Sequence, residues 1–579
     1  MLLPVHYLTS YLTAVVLLGS VVTAKSYCQP TQPCWPSVKQ WKALNASTNH
    51  RLIQVTPLAR PCYLNITSDE CGLVQSIYYD AAGRTDSPGA SFWTNYETCG
   101  NKDCVMDLLV PGLVVGPGSC ELGRLSPYAL VASSPKDISA AILFAKRYNI
   151  KVVIKNTGHD LQGRSSAPGS LLIWTHEMKH KKYYPRFDAC GAYNQPAIAI
   201  GAGVQGLEAY TFADSVGVTI PGGHCPTVGL AGGWFSGGGY GFMTPLYGLG
   251  VDNVLQVTLV TADGVTRVLN SCSPDRELFW AIRGGGGGTW GVVTEVVFKV
   301  YPQQALISFD FEYTVSADAT SANATSLLKD FITTLAAMQP RMMALNGSAS
   351  AVLSNYQVAG GYVIPGKNLS AIPKAFSPLT SFFARWNGLL TGNHTITPLE
   401  KFIDILPIAS KWDSELSGVS ARMSSRLIPK SLFNSTNSIS KLADAILEGY
   451  ALNIPPGSPQ SQVPLLASLP IFIVMEGPYN HQDNSETAIH SAWRDMYWFV
   501  YYQNGWTKNL AELAPIVSSA VSVAADPLRA LTPGFGTYFN EADVDEKDWK
   551  SAFFGENYDR LLKVKKKYDL YFILMILMG

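Results

Sequence analysis

Three glycine-rich stretches restrict what this chain can build: Gly158-His-Asp160 running on to Gly163-Arg-Ser-Ser166, the segment from Pro221 to Gly241, and the segment from Arg283 to Gly291. Residues without a Cβ let the backbone approach a ligand closely and adopt positive φ, so that successive amides can face an anion such as a pyrophosphate. Two common glycine motifs do not fit. The G-x-G-x-x-G dinucleotide fingerprint needs an apolar strand before it, a helix after it and an acid about 20 residues further on, whereas Ser236-Gly-Gly-Gly-Tyr-Gly241 follows a glycine-rich turn. The Gly-Lys-Ser/Thr ending of a phosphate-binding P-loop does not occur. Tight turns alone would explain one such cluster more readily than three.

Helices and strands alternate around these clusters. Ser134-Pro135-Lys136-Asp137 offers an N-cap, a proline at the first helical position and an acid at the third, after which Ile138, Ile142 and Ala145 share a face. A helix of about three turns ending at Asn149 is expected. Short β-branched strands are expected at 151–155, 197–200, 255–260 and 292–300, and an aromatic strand at 497–502. Residues 25–120 read as irregular, with short helices near 38–44 and 73–79. The polar pattern over 557–568 reads as a helix. No repeat at periods of about 20 to 50 residues is evident.

The first two dozen residues form an apolar stretch that ends in Val22-Thr23-Ala24 before Lys25, the pattern of a cleaved signal peptide; the absence of Lys or Arg at its start keeps an uncleaved anchor as the alternative. Asn-X-Ser/Thr acceptors at Asn45, Asn65, Asn323, Asn346, Asn368, Asn393 and Asn434 favour passage through the secretory route. So do the cysteines: Cys28, Cys34, Cys62, Cys71, Cys99 and Cys104 crowd the early chain, with Cys120 close behind, as in a stapled segment of a secreted, oxidised protein. None of their spacings suits zinc, and no metal site is expected. Lys+Arg and Asp+Glu balance at 43 each, so a nucleic-acid groove has no electrostatic basis. With 47% hydrophobic and 15% charged residues the chain can bury a large core. Beyond the N-terminus no apolar run nears the roughly 20 residues of a membrane span, so no membrane partner is expected.

Along the chain stand Cys34-Trp-Pro-Ser37, Ser126-Pro-Tyr-Ala-Leu-Val-Ala132, Asn156-Thr-Gly-His-Asp160 with Gly163-Arg-Ser165, and Cys225-Pro-Thr-Val-Gly229 with Phe235-Ser-Gly-Gly-Gly-Tyr-Gly241. Asp252-Asn253, Leu278-Phe-Trp-Ala-Ile-Arg-Gly284, Ala492-Trp-Arg494 and Phe554-Gly-Glu-Asn-Tyr558 follow. In this order the series resembles the FAD-linked oxidases of the vanillyl-alcohol-oxidase fold, in their berberine-bridge-like branch and particularly the secreted fungal members described as isoamyl-alcohol-oxidase-like. The resemblance implies an α+β protein, a PCMH-type FAD-binding domain with a second α+β substrate domain. It divides the chain into a signal peptide (1–24), a cysteine-rich N-terminal part of the FAD domain (25–120), the PCMH-type domain (121–304), a substrate domain (305–525) and a berberine-bridge-like C-terminal segment (526–579).

It also implies FAD attached at two points, His159 to the 8α-methyl carbon and Cys225 to C6 of the ring. A neutral imidazole can add to the quinone-methide form of the flavin and a thiolate can add at C6, so both residue types suit the chemistry. With Cys225 set aside, nine cysteines remain and at least one stays outside any disulfide within the chain. Backbone amides of Gly158, Gly163, Arg164 and Ser165 would line the cofactor. Pro221, Gly222, Gly229 and Gly232, with Ser236, Gly238, Gly239 and Gly241, would line it from the second cluster, and Val292 and Val293 would lie along the adenine and ribose. A base for the substrate hydroxyl belongs within about 3 Å of it. The family places such a group on the strand before Ala-Trp-Arg, which leaves Glu476, Tyr479 and His481 as candidates. Arg494 reads as structural, packing the edge of the flavin domain, and His224 beside Cys225 makes a poor metal-ligand pair.

The reaction implied is two-electron oxidation of a hydroxyl, or an oxidative ring closure, on a small apolar or polyketide-like molecule of fungal secondary metabolism. O₂ would be the acceptor, giving H₂O₂, and the enzyme a secreted monomer. An oligosaccharide oxidase of the same fold is the first alternative, and a non-catalytic secreted glycoprotein on a degenerate fold the second. The chain departs from the family at His490-Ser491, where Asn-Pro or His-Pro is usual. It also departs after Asp569, where an apolar run, Leu570 to Gly579, replaces a longer closing segment. A wrongly read gene end is expected there in preference to a working tail.

Overall fold

The computed structural model describes residues 27–99, 104–106, 118–191, 194–317, 321–411, 417–455, 470–477, 485–569 and residue 574. The expected signal peptide lies outside them.

Ser134 caps its helix as its neighbours predict: the side chain accepts from the Asp137 amide, Pro135 opens the helix, and Asn149 closes it in the left-handed conformation at φ 54°. The helix runs over Pro135–Tyr148, longer than expected. It connects two parallel-sheet strands, Tyr128–Val131 and Lys151–Lys155, that flank a third, Ser170–Trp174. That central strand is buried along its whole length, as its run of Leu, Ile and Trp requires once both faces are covered. Leu52–Gln54 completes this four-stranded sheet antiparallel to Tyr128–Val131.

A second, antiparallel sheet is ordered Lys181–Phe187, Gln195–Gly201, Val292–Lys299, Val254–Val260, Thr266–Leu269. The strands from 306 to 506 build a third, seven-stranded sheet, ordered Leu390–Leu399, Leu306–Val315, Gln357–Pro365, Ser348–Leu353, Ile471–Met475, Met496–Trp506, Ser420–Pro429. Strand alternation divides the residues of this sheet between two faces. Leu353, Val358, Ile471, Ile473, Val500 and Tyr502 are buried in a core with the helices Ser321–Ala344, Ile372–Arg385 and Thr436–Leu452. Val352, Gln357, Ala359, Phe472, Tyr501 and Gln503 fall on the other face, which looks into a cavity.

The early cysteines pair locally, Cys28–Cys34, Cys62–Cys71 and Cys104–Cys120, and Cys190–Cys272 ties two later loops together. Cys99 belongs to none of these four, and Cys225 is a free thiol. The C-terminal helices Trp549–Phe554 and Tyr558–Tyr568 return to the helix Arg276–Ile282, with Phe554, Leu561 and Val564 in one apolar cluster with Leu278 and Trp280. Leu574, within the apolar run after Asp569, is 1% exposed and bridges to Val152 beside the parallel sheet. Its amide donates to Asp569 and its carbonyl accepts from Lys565. Among the described residues no helix is long and apolar enough to cross a membrane.

Candidate active site

A cavity of about 530 Å³ lies between the glycine clusters and the open face of the seven-stranded sheet. His159 reaches it from the turn that ends the Lys151–Lys155 strand, where Gly158 takes φ 90° and its carbonyl accepts from the Phe92 amide. The Phe92 ring packs 4.3 Å from the imidazole. Beneath this turn Lys155 donates to the carbonyls of Ser87 and Ala90, and burial pulls its ammonium down to about 7. Burial likewise depresses the His159 imidazolium to about 3, so the ring is neutral.

Cys225 arrives on a loop held by a helix start. The amides of Gly206 and Leu207, left over at the N-terminus of Gly206–Ser215, donate to the carbonyls of Val228 and Pro226 at 2.8 Å each. Cys225 Sγ thereby stands 4.0 Å from His159 Nε2, and Thr227 lies between them, its hydroxyl 2.6 Å from Nε2 and 3.5 Å from Sγ. Residues 66 apart in sequence thus meet at one end of the cavity.

The other predicted site residues divide. Gly158, Arg164, Ser165, Gly229, Gly232, Ser236 and Val293 line the cavity. The Ser165 amide is already taken, at 2.5 Å, by the Asp160 carboxylate, so it cannot serve as a free anion donor. Gly163, Pro221, Gly222, Gly238, Gly239 and Gly241 are not on the cavity wall. Several of these glycines answer to packing: a Cβ on Gly163 would fall 2.2 Å from the Tyr96 ring, on Gly222 2.2 Å from the Tyr210 hydroxyl, and on Gly241 1.8 Å from the Gly222 carbonyl. Val292 points away from Val293, into the apolar cluster with Ile138 and Ile173, because neighbours on a strand face opposite ways.

Of the three candidate bases, Tyr479 and His481 lie outside the described residues. Glu476 follows the Ile471–Met475 strand on the parity of Phe472 and is fully buried. It does not line the cavity; it holds His224, which does, with Oε1 2.5 Å from Nε2. His224 stacks on Phe242 at 4.0 Å and meets Tyr240 edge-on, and the Tyr240 hydroxyl donates to Glu541 at 3.0 Å. Sequence reasoning weighed His224 only as a metal ligand, since its partner stands 252 residues away. Arg494 is structural as expected: it pairs with buried Asp252 through two 2.7 Å hydrogen bonds.

The residues present fit a flavin nucleotide. Gly233 lines the cavity with nothing within 4 Å of where a Cβ would project, so a side chain there would occupy ligand space. Arg164 Nη1 and Asn156 Oδ1, both on cavity-lining residues, are buried without a hydrogen-bond partner. Arg164 is otherwise paired, with Asp160 and Asn540, so one unmet N–H and one unmet carbonyl oxygen remain on this wall for a polar ligand.

Comparison with known proteins agrees. A FAD binding domain family matches residues 127–270, and the family described as berberine and berberine like matches residues 537–570. The FAD-linked oxidoreductase easE of Arthroderma otae is 32% identical over 568 residues, covering 93% of this chain and 87% of that protein. The crystal structure of the VAO-type flavoprotein MtVAO615 from Myceliophthora thermophila C1 superposes with a TM-score of 0.81 at 28% identity, over 94% of this chain and 95% of that one. Glucooligosaccharide oxidase from Acremonium strictum, described with a 6-S-cysteinyl, 8α-N1-histidyl FAD, shares the fold at TM-score 0.59 and 20% identity, over 78% of this chain and 90% of that one. The cavity, the motifs around it and these likenesses together show that the chain belongs to the FAD-linked oxidoreductases of the vanillyl-alcohol-oxidase fold, the berberine-bridge-like flavoproteins.

Proposed function

We propose that this protein is a secreted oxidase carrying FAD bonded to both His159 and Cys225, and that it oxidises a hydroxyl of a small, mainly apolar molecule, or closes a ring oxidatively, with O₂ as acceptor and H₂O₂ as product. The observation that carries the reading is the approach of Cys225 Sγ to within 4.0 Å of His159 Nε2 on the cavity wall. A neutral imidazole and a free thiol side by side are the two nucleophiles that a doubly attached flavin needs.

The bound flavin would supply the two-electron redox chemistry, and the protein supplies orientation and proton handling. His224 takes the substrate O–H proton, and buried Glu476 positions it and stabilises the imidazolium that results. Among the described residues, Val352, Ala359, Met423, Phe472 and Tyr501 with Gln357 and Gln503 form the wall on the sheet side, and Lys411, Asn540 and Glu541 line the cavity elsewhere. That wall suits an apolar alcohol better than an oligosaccharide, whose many hydroxyls would each need a partner. The test is peroxide formation across a panel of aliphatic, aromatic and polyketide-like alcohols and of sugars. Peroxide from apolar alcohols supports the reading, and turnover confined to sugars overturns the substrate class.

A further inference from the structure

We infer that Thr227 is the positioning residue for flavin attachment: its one hydroxyl fixes which nitrogen of His159 bonds the flavin and at the same time supports the Cys225 thiolate. The inference rests on the doubly attached flavin proposed above.

The geometry is a three-membered chain. Thr227 Oγ1 lies 2.6 Å from His159 Nε2 and 3.5 Å from Cys225 Sγ. A hydroxyl has one proton to give and lone pairs to accept with, and a neutral imidazole has one N–H. Of the possible assignments, one suits both attachments. Nε2–H donates to Thr227 Oγ1, which makes Nδ1 the nitrogen whose lone pair forms the bond, and the hydroxyl donates its own proton to sulfur, which lowers the cost of the thiolate. The reverse assignment, Thr227 donating to Nε2, ties up the nucleophilic lone pair and leaves sulfur without that donor.

Each attachment is an oxidative bond formation. One flavin C–H bond and the N–H or S–H proton of the side chain are lost, one C–N or C–S bond forms, and two electrons and two protons leave to O₂ as H₂O₂. Bond formation at Nδ1 makes the ring cationic. Burial at this place strongly disfavours an imidazolium, so the Nε2 proton has to leave, and Thr227 relays it: the hydroxyl takes the proton from Nε2 as it gives its own to the Cys225 thiolate, and that proton is lost in turn when the C–S bond forms. The backbone already holds Thr227 in register, because the carbonyls on either side of it, of Pro226 and Val228, accept from the Gly206–Ser215 helix start. The hydroxyl can therefore be removed without moving the loop.

The test uses full-length protein, wild type and the variants Thr227→Val and Thr227→Ser, each digested with protease and the flavin-bearing peptides weighed by mass spectrometry. Thr227→Val, equal in shape, is expected to lose at least about nine-tenths of the His159 attachment, with the C6 attachment slowed as well. Thr227→Ser is expected to restore both. A loss that merely reflected disturbed packing would affect Ser as much as Val, and soluble yield and melting temperature report folding separately. Thr227→Val with a wild-type share of doubly attached flavin overturns the inference, as does a failure of Ser to rescue. Wild-type protein without covalent flavin overturns the underlying reading and this inference with it.

Discussion

Glu476 Oε1 lies 2.5 Å from His224 Nε2, joining the end of a strand in the seven-stranded sheet to the glycine-rich loop that carries Cys225. Its second oxygen is buried without a hydrogen-bond partner, so the carboxylate spends its charge on the imidazole. Glu476→Gln keeps the shape and removes the charge. We expect kcat to fall about 10²-fold while the flavin spectrum and the attached flavin stay as in the wild type. Steady-state peroxide assays beside absorption spectra check this, and unchanged turnover removes the pair from the mechanism.

The Arg494–Asp252 pair should matter for stability. Asp252 is fully buried and Arg494 nearly so, and the two meet bidentately across 242 positions of sequence. Removing one partner strands a buried charge, so Arg494→Ala should cost about 3–5 kcal/mol, and Arg494→Lys should recover only part of it because the fork geometry is lost. Denaturant unfolding of the three proteins measures the differences.

Acid stability should depend on His490. Both ring nitrogens are in use, Nδ1 accepting from the Ala492 amide and Nε2 facing the Ser551 carbonyl, and burial depresses the imidazolium to about 4 from the usual 6.5. Because the unfolded chain takes up this proton at higher pH than the folded one, the stabilisation is whole above pH 6.5. It declines as pH falls toward 4, by at most about 3 kcal/mol. His490→Gln should flatten that acid limb relative to wild type, as read from unfolding midpoints across pH.

Glycosylation should follow exposure. Asn65, Asn323, Asn346, Asn368, Asn393 and Asn434 are exposed, whereas Asn45 is half-buried and its side-chain oxygen accepts from the Leu52 amide. Glycopeptide mapping of secreted material should find glycans among the six and none on Asn45. A fully occupied Asn45 would contradict this, as would a secreted chain without glycans.

Local signals predicted local structure well. The Ser134 cap, the left-handed Asn149 and the strand at Lys151–Lys155 each follow from a few neighbouring residues, and the structure has all three. Glycine was harder to interpret, since a missing Cβ leaves cavity space open at Gly233 and makes room for a neighbouring side chain at Gly163, and only the fold tells the two apart. Strand alternation could have separated Val292 from Val293, given which face of the strand met the cavity. The pairing of Glu476 with His224 depended on two distant segments meeting, and no spacing within either one announces it. Thr227 lay inside a recognised motif, but its place between His159 and Cys225 belongs to the tertiary structure.

The central claim is that one flavin is bonded to His159 and Cys225 together. The most direct measurement is acid precipitation of purified full-length protein, followed by mass analysis of the digested pellet. The account predicts a yellow pellet in which the His159 and Cys225 peptides are recovered joined through a single FAD. Release of all FAD into the acid supernatant, with both peptides at their unmodified masses, would contradict it.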